Sequence, residues 1–267
     1  TSPVDLQDVV LGPVEVSLDR DRVKFYADTI GSDPNEWAAE APPGFGSVLL
    51  FAVADLFLQH PKVIPFTATL LHVDQSFTYL APMAVGSTIS MQGTITRVRE
   101  RGGSYFVTFE AEGTSDGTAI VQSTSTFVLS DQQAPPPESE RIEPGARERA
   151  SFEGVSRSAS RHDLLRYSAA TRDFNPLHWD HEVAVASGIP GTVVHGLLMY
   201  AWMMEAASNA AGGASVTAAK VRFRNVLHPA EQATLSTEVD GDTVKVTLSR
   251  DDTPLVTGTA TVAPTLE

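Results

Sequence analysis

The sequence predicts an α+β protein built from two similar units, each an antiparallel sheet wrapped around one apolar helix. Three observations lead there. The stretches 46–59 and 196–211 are long enough for helices and are apolar on nearly every side. Each is followed by segments that alternate apolar and polar residues with period two, the mark of half-buried strands. The whole order of elements then occurs twice.

In the first half, a helix-compatible stretch at 23–30 leads through a proline-containing loop to the helix at 46–59. Strands are expected at 72–80, 88–99, 105–113 and 119–129. In the second half the same plan reads 163–171, a proline loop, 196–211, then strands at 218–226, 233–239, 243–249 and 254–262. Turn residues at Gly102-Gly103, Asp116-Gly117, Asp240-Gly241 and Asp251-Asp252 separate neighbouring strands. Local sequence agrees with a duplication: Phe25-Tyr26-Ala27 pairs with Arg166-Tyr167-Ser168, and Pro43-Gly44 with Pro190-Gly191. That pairing puts Val48 near the place of His195. Between the halves, 131–150 is rich in Pro, Glu and Arg and reads as an extended linker. The expected domains are 1–130 and 151–267.

A chain of 267 residues with 42% apolar residues can bury a sizeable core. Formal net charge is −14, which opposes nucleic-acid binding and repels anionic substrates unless a local basic patch offsets it. Lys220, Arg222 and Arg224 alternate along an expected strand, so they share one face. That face is either such a patch or simply a solvated surface. The absence of cysteine excludes disulfides, thiolate nucleophiles and cysteine metal sites, and suits a cytoplasmic enzyme. The longest apolar runs, 48–58 (broken by Asp55) and 197–204, are too short to span a bilayer, and no signal peptide is expected.

The chemistry concentrates at 172–180. Asp173 and His178 are five apart with Pro176 between them. Proline disfavours helix at Asn175, so the segment is a compact loop able to fold both side chains toward one point. Asn175 can bond nearby backbone and hold the loop's shape. A carboxylate and an imidazole facing one water can supply the base and the acid for adding water across a conjugated thioester. The N–H of Gly196, at the start of an apolar helix, can receive the enolate oxygen. His178, His181 and His195 with Asp180 give weak support for a metal site, and none is expected. No Gly-x-Ser-x-Gly elbow and no phosphate-binding glycine loop is present.

At this segment the sequence resembles the MaoC-like, or R-specific enoyl-CoA hydratase, family. The resemblance rests on Tyr167, Ser168, Asp173, Asn175, Pro176, Leu177, His178 and Asp180. It continues through Gly188, Pro190, Gly191, Val194, His195 and Gly196, then Lys220 to Asn225 and Pro229. The first half resembles the degenerate N-terminal domain of two-domain members, with Ser32-Asp33-Pro34-Asn35-Glu36-Trp37 where the second half has its acid–base loop. The resemblance implies a double hot-dog fold with one active site per chain. Asp173 and His178 would hold the catalytic water, Gly196 would polarise the thioester carbonyl, and Asn175 and His195 would support them. Lys220, Arg222 and Arg224 could bind phosphates of coenzyme A or acyl carrier protein. The implied reaction is reversible hydration of a trans-2-enoyl thioester to the (R)-3-hydroxyacyl thioester, without a cofactor, in a homodimer. Two other readings stay open at this point: a thioesterase on the same fold, and a non-catalytic acyl-thioester binding subunit.

Overall fold

In the computed structural model, residues 2–133, 135–136 and 155–264 are described. The expected linker lies mostly outside them. The first half runs β1 (Val10–Ser17), α1 (Arg20–Thr29), α2 (Gly46–Leu58), β2 (Thr69–Tyr79), β3 (Thr88–Arg101), β4 (Ser104–Ser115) and β5 (Thr118–Ser130). The second runs β6 (Ser156–Arg157), α3 (Arg161–Thr171), α4 (His181–Ala186), α5 (Gly196–Ala210), β7 (Val216–Phe223), β8 (Ala233–Asp240), β9 (Thr243–Arg250) and β10 (Thr253–Val262).

The central helices form because nearly every side chain can be buried. In α2, Val48, Leu49, Leu50, Val53 and Phe57 are essentially inaccessible, as are Leu198, Tyr200, Trp202 and Met203 in α5. Each such side chain contributes about 1.5–3 kcal/mol on burial, which outweighs the modest helix propensity of valine and the aromatics. α2 packs on β1, β3 and β4, and α5 on β7, β8, β9 and β10. Along β3 and β4 buried and exposed residues alternate, so each strand gives one face to its helix.

The two sheets meet edge to edge. β2 pairs antiparallel with β7, with Asp74 opposite Arg222 and Phe77 opposite Ala219. The result is one continuous ten-stranded sheet in the order β1-β3-β4-β5-β2-β7-β10-β9-β8-β6. α1 and α3 also pack across the halves, where Arg166 bonds the Asp28 carboxylate and stacks over the Phe25 ring. Gly44 permits a further close approach: a Cβ there would lie 2.7 Å from the Ala201 Cβ.

Three elements escape the periodicity. β1 contains Gly12-Pro13 and shifts register between Leu11 and Val14, which masks its alternation. β6 is two residues long. α4 is a short helix capped by the Asp180 carboxylate, which accepts from the Val183 N–H at 3.1 Å. Among the described residues no helix is long and apolar enough to cross a membrane.

The start of α5 corrects one sequence alignment. α2 begins three residues after Pro43, whereas α5 begins six residues after Pro190. Matched at their helix starts, Phe45 and not Val48 stands where the second half has His195. The longer lead-in of the second half accounts for the difference.

Candidate active site

α3 ends at Arg172, whose left-handed backbone (φ 66°) turns the chain sharply out of the helix. Asp173 follows, and its Oδ1 accepts from the Asn175 N–H at 3.3 Å. Asn175 Oδ1 in turn accepts from the Leu177 N–H at 3.2 Å and caps a short 3-10 turn, Pro176–His178. Two successive side-chain turns thus carry the chain from Asp173 to His178, with Pro176 preset for the first position of the turn.

This loop is bound to the strand-like segment before α5. The Val193 N–H donates to the Leu177 carbonyl at 3.1 Å, and the Val194 N–H to the Leu227 carbonyl at 2.8 Å. His178 Nδ1–H donates to the Val193 carbonyl at 2.8 Å. A carbonyl can only accept, so the proton sits on Nδ1 and the Nε2 position faces Asp173. His178 Nε2 and Asp173 Oδ2 are 3.8 Å apart, with only 11% and 13% of the two side chains exposed. That gap is too long for a good direct hydrogen bond, but one water about 2.8 Å from each atom can bridge it.

His195 lies beneath the pair. Its ring stacks on His178 with centroids 3.7 Å apart and planes 20° from parallel. Its Nε2–H is shared between Ser168 Oγ at 3.0 Å and the Asp173 carbonyl at 3.3 Å. Burial pushes its pKa well below the ordinary range, and the neighbouring His178 adds to this. A neutral ring can lie flat on His178 without charge repulsion. Asp173 moves the other way: burial raises its carboxyl and Asp55 adds to that, while His178 and the Asn175 N–H pull it down.

Asp173, His178 and His195 offer ligand atoms within 4.8 Å of one another. Their geometry does not suit a metal ion. A metal about 2 Å from each nitrogen must lie in both ring planes, and stacked imidazoles aim their lone pairs along nearly parallel planes. His178 Nδ1 is also committed to Val193.

Gly196 opens α5, and its N–H is among the first-turn donors that a helix leaves without an intrahelical acceptor. A Cβ there would lie 2.9 Å from the Phe223 ring, so β7 packs directly on the helix start. The three basic residues are on β7 and just beyond it, exposed, on the outer sheet face. Arg222 is already engaged by Asp74 at 2.9 and 3.3 Å, and Arg224 Nε donates to Thr257 Oγ1 at 2.8 Å.

A cleft of about 790 Å3 opens on Asp173. Phe174, Asn175, Pro176 and Leu177 form one side, and Phe51, Asp55 and Leu58 of α2, with Gln59 just past its end, belong to the other half of the chain. The lining mixes aliphatic and aromatic side chains with polar ones, among them Asp55, Thr67 and Thr69. His178, His195 and Gly196 lie behind Asp173 rather than on this lining. Sequence reading did not place Asp55, Gln59 or Arg172 at the cleft. No local signal could do so for α2, since its role depends on packing between halves. A second cavity of about 480 Å3 occupies the matching place in the first half, where Ser32, Glu36 and Trp37 share the lining with Ala201, Met204 and Glu205 of α5.

Residues 145–260 match the family model of the MaoC-like domain, and residues 8–123 match that of the FAS1-like dehydratase domain region. The chain is 28% identical over 265 residues to the enoyl-CoA hydratase ChsH3 of Mycobacterium tuberculosis, covering 90% of this chain and 91% of that one. Its fold is similar to that of HtdX of Mycobacterium tuberculosis, with TM-score 0.74, 20% identity and coverage of 94% and 100%. It is also similar to a conserved hypothetical protein of that organism described as having a double hot-dog fold, with TM-score 0.66, 11% identity and 98% of each chain covered. The fold is a double hot-dog, whose first half is similar to the FAS1-like dehydratase domain region and whose second half is similar to the MaoC-like domain.

Proposed function

We propose that this protein catalyses reversible hydration of a trans-2-enoyl thioester to the (R)-3-hydroxyacyl thioester, with Asp173 and His178 as its acid–base pair. The observation that carries the reading is the fixed His178 tautomer. With Nδ1–H held by Val193, Nε2 is the ring position free to exchange a proton with a water shared with Asp173.

In the forward direction, water loses a proton to the pair as its oxygen bonds to the β-carbon. The electron pair of the enoyl group moves onto the thioester oxygen, giving an enolate. The Gly196 N–H, with the partial positive charge of the α5 start, stabilises that oxygen. A proton returned to the α-carbon restores the carbonyl. Water supplies both added groups, so the reaction as written needs no cofactor. The acid and base roles belong to Asp173 and His178 together. Coenzyme A or acyl carrier protein is the carrier. Exposed Lys220 and Arg224 are the cations of β7 and its end that remain for a carrier phosphate, since Arg222 is held by Asp74.

The test is steady-state hydration of trans-2-enoyl-CoAs of increasing chain length with chiral analysis of the product. The (R)-3-hydroxyacyl-CoA is expected. Release of free thiol without hydration would replace this reading with hydrolysis.

A further inference from the structure

The α2 helix is apolar almost throughout, yet Asp55 interrupts it and lines the catalytic cleft from the opposite half of the chain. Its surroundings on that wall are acceptor-rich. Thr67 Oγ1 donates its proton to the Ile64 carbonyl at 2.8 Å, and Thr69 Oγ1 donates to the Gln132 carbonyl at 3.0 Å. With their protons committed, both hydroxyl oxygens of these lining residues are left to act as acceptors. Among the described residues, Asp55 has no ion-pair partner; Arg172, a cation of the lining, sits on the catalytic loop without pairing to it. The matching position in the other half makes the contrast clear. Counting from the helix starts, Glu205 of α5 occupies the place of Asp55 and lines the smaller cavity, but Arg157 stands 3.8 Å from it.

A plain alkyl chain laid along this wall would strip water from a carboxylate and two hydroxyl oxygens and return no hydrogen bond. That loss selects against it. We infer that Asp55, with Thr67 and Thr69, makes the cleft selective for enoyl thioesters whose acyl group carries a hydrogen-bond donor, such as a hydroxyl, beyond the reacting double bond. Gln59, four residues on at the C-terminal cap of α2 and also on the lining, can serve the same group through its amide oxygen. Asp55 is a specificity residue here: it touches the acyl group and not the reacting atoms. The inference deepens the proposed hydration and rests on it for the identity of the acyl thioester.

The experiment compares trans-2-octenoyl-CoA with a terminally hydroxylated and a mid-chain hydroxylated derivative, in the wild type, Asp55→Asn and Asp55→Leu. The wild type is expected to favour one hydroxylated substrate by about tenfold or more in kcat/KM. Asp55→Leu should abolish that preference by raising KM for the hydroxylated substrate and lowering it for the alkyl one, while Asp55→Asn retains part of it. Affinities of the corresponding 3-hydroxyacyl-CoAs, measured by calorimetry, separate the two claims. Absence of hydration with a binding preference that Asp55→Leu removes would overturn the reaction but support the selectivity. A preference that is absent in the wild type, or unchanged in Asp55→Leu, would overturn the selectivity whatever the turnover.

Discussion

The two halves fold the same turn and set it in different surroundings. In the second half, Asp173 Oδ1 accepts from the Asn175 N–H; in the first, Asp33 Oδ1 accepts from the Asn35 N–H at 2.9 Å. The turn is common to both, but Asp33 is exposed to solvent while Asp173 is largely buried. Beneath each turn lies a tyrosine against a second ring. Tyr167 meets His195 at 4.8 Å, and Tyr26 meets Phe45 at 5.3 Å. The first half thus keeps the packing and lacks the imidazoles. In this register Ala38 stands where the second half has His178, and the preceding Trp37, opposite Leu177, turns its Nε1–H to Ser32 Oγ at 2.9 Å. A duplicated scaffold can hold a loop in shape without chemistry. What separates the second copy is a buried carboxylate, an imidazole of fixed tautomer, and a neutral histidine beneath it.

The contrast breaks most visibly at the imidazole. His178→Ala should lower kcat for hydration by about 10²-fold or more, while Trp37→Ala should change it by less than about threefold. Steady-state kinetics on both variants checks this, and equal losses would deny the halves different roles. His195→Phe, which copies Phe45 into the active half, should lower kcat by about tenfold, because His178 and the Asp173 carbonyl lose their shared support. A sharper test uses pH. Asp55 helps raise the Asp173 carboxyl, so Asp55→Asn removes a raising influence. Whichever limb of the kcat/KM profile reports that carboxyl should move to lower pH, and a move to higher pH would contradict the electrostatic account. The smallest expected effect on catalysis lies at the far cavity. Arg157→Ala leaves Glu205 without its cation and should cost about 1–3 kcal/mol of stability in chemical denaturation, with hydration within about twofold of wild type.

Much of this architecture is legible in the sequence because it rests on local pattern. The helix at Gly46–Leu58 and the strand Ser104–Ser115 each follow from a periodicity that burial enforces. β1 is harder to read, since Gly12-Pro13 and a register shift interrupt its alternation. At the site, Asp173, Asn175 and His178 are close in sequence, and the turn bonds joining them are local. Asp55 reaches the cleft only because α2 of one half faces the loop of the other. Asp74 engages Arg222 only because β2 pairs with β7 across the halves. Both are consequences of tertiary registry, which no window of sequence contains.

The most direct measurement is hydration of crotonyl-CoA by Asp173→Asn beside Asp33→Asn, with folding of each checked by circular dichroism. A fall of about 10²-fold or more in kcat/KM for the first, and near-wild-type activity for the second, is the result expected of a buried proton-transfer group with an inert counterpart. A fully active, folded Asp173→Asn enzyme would contradict it.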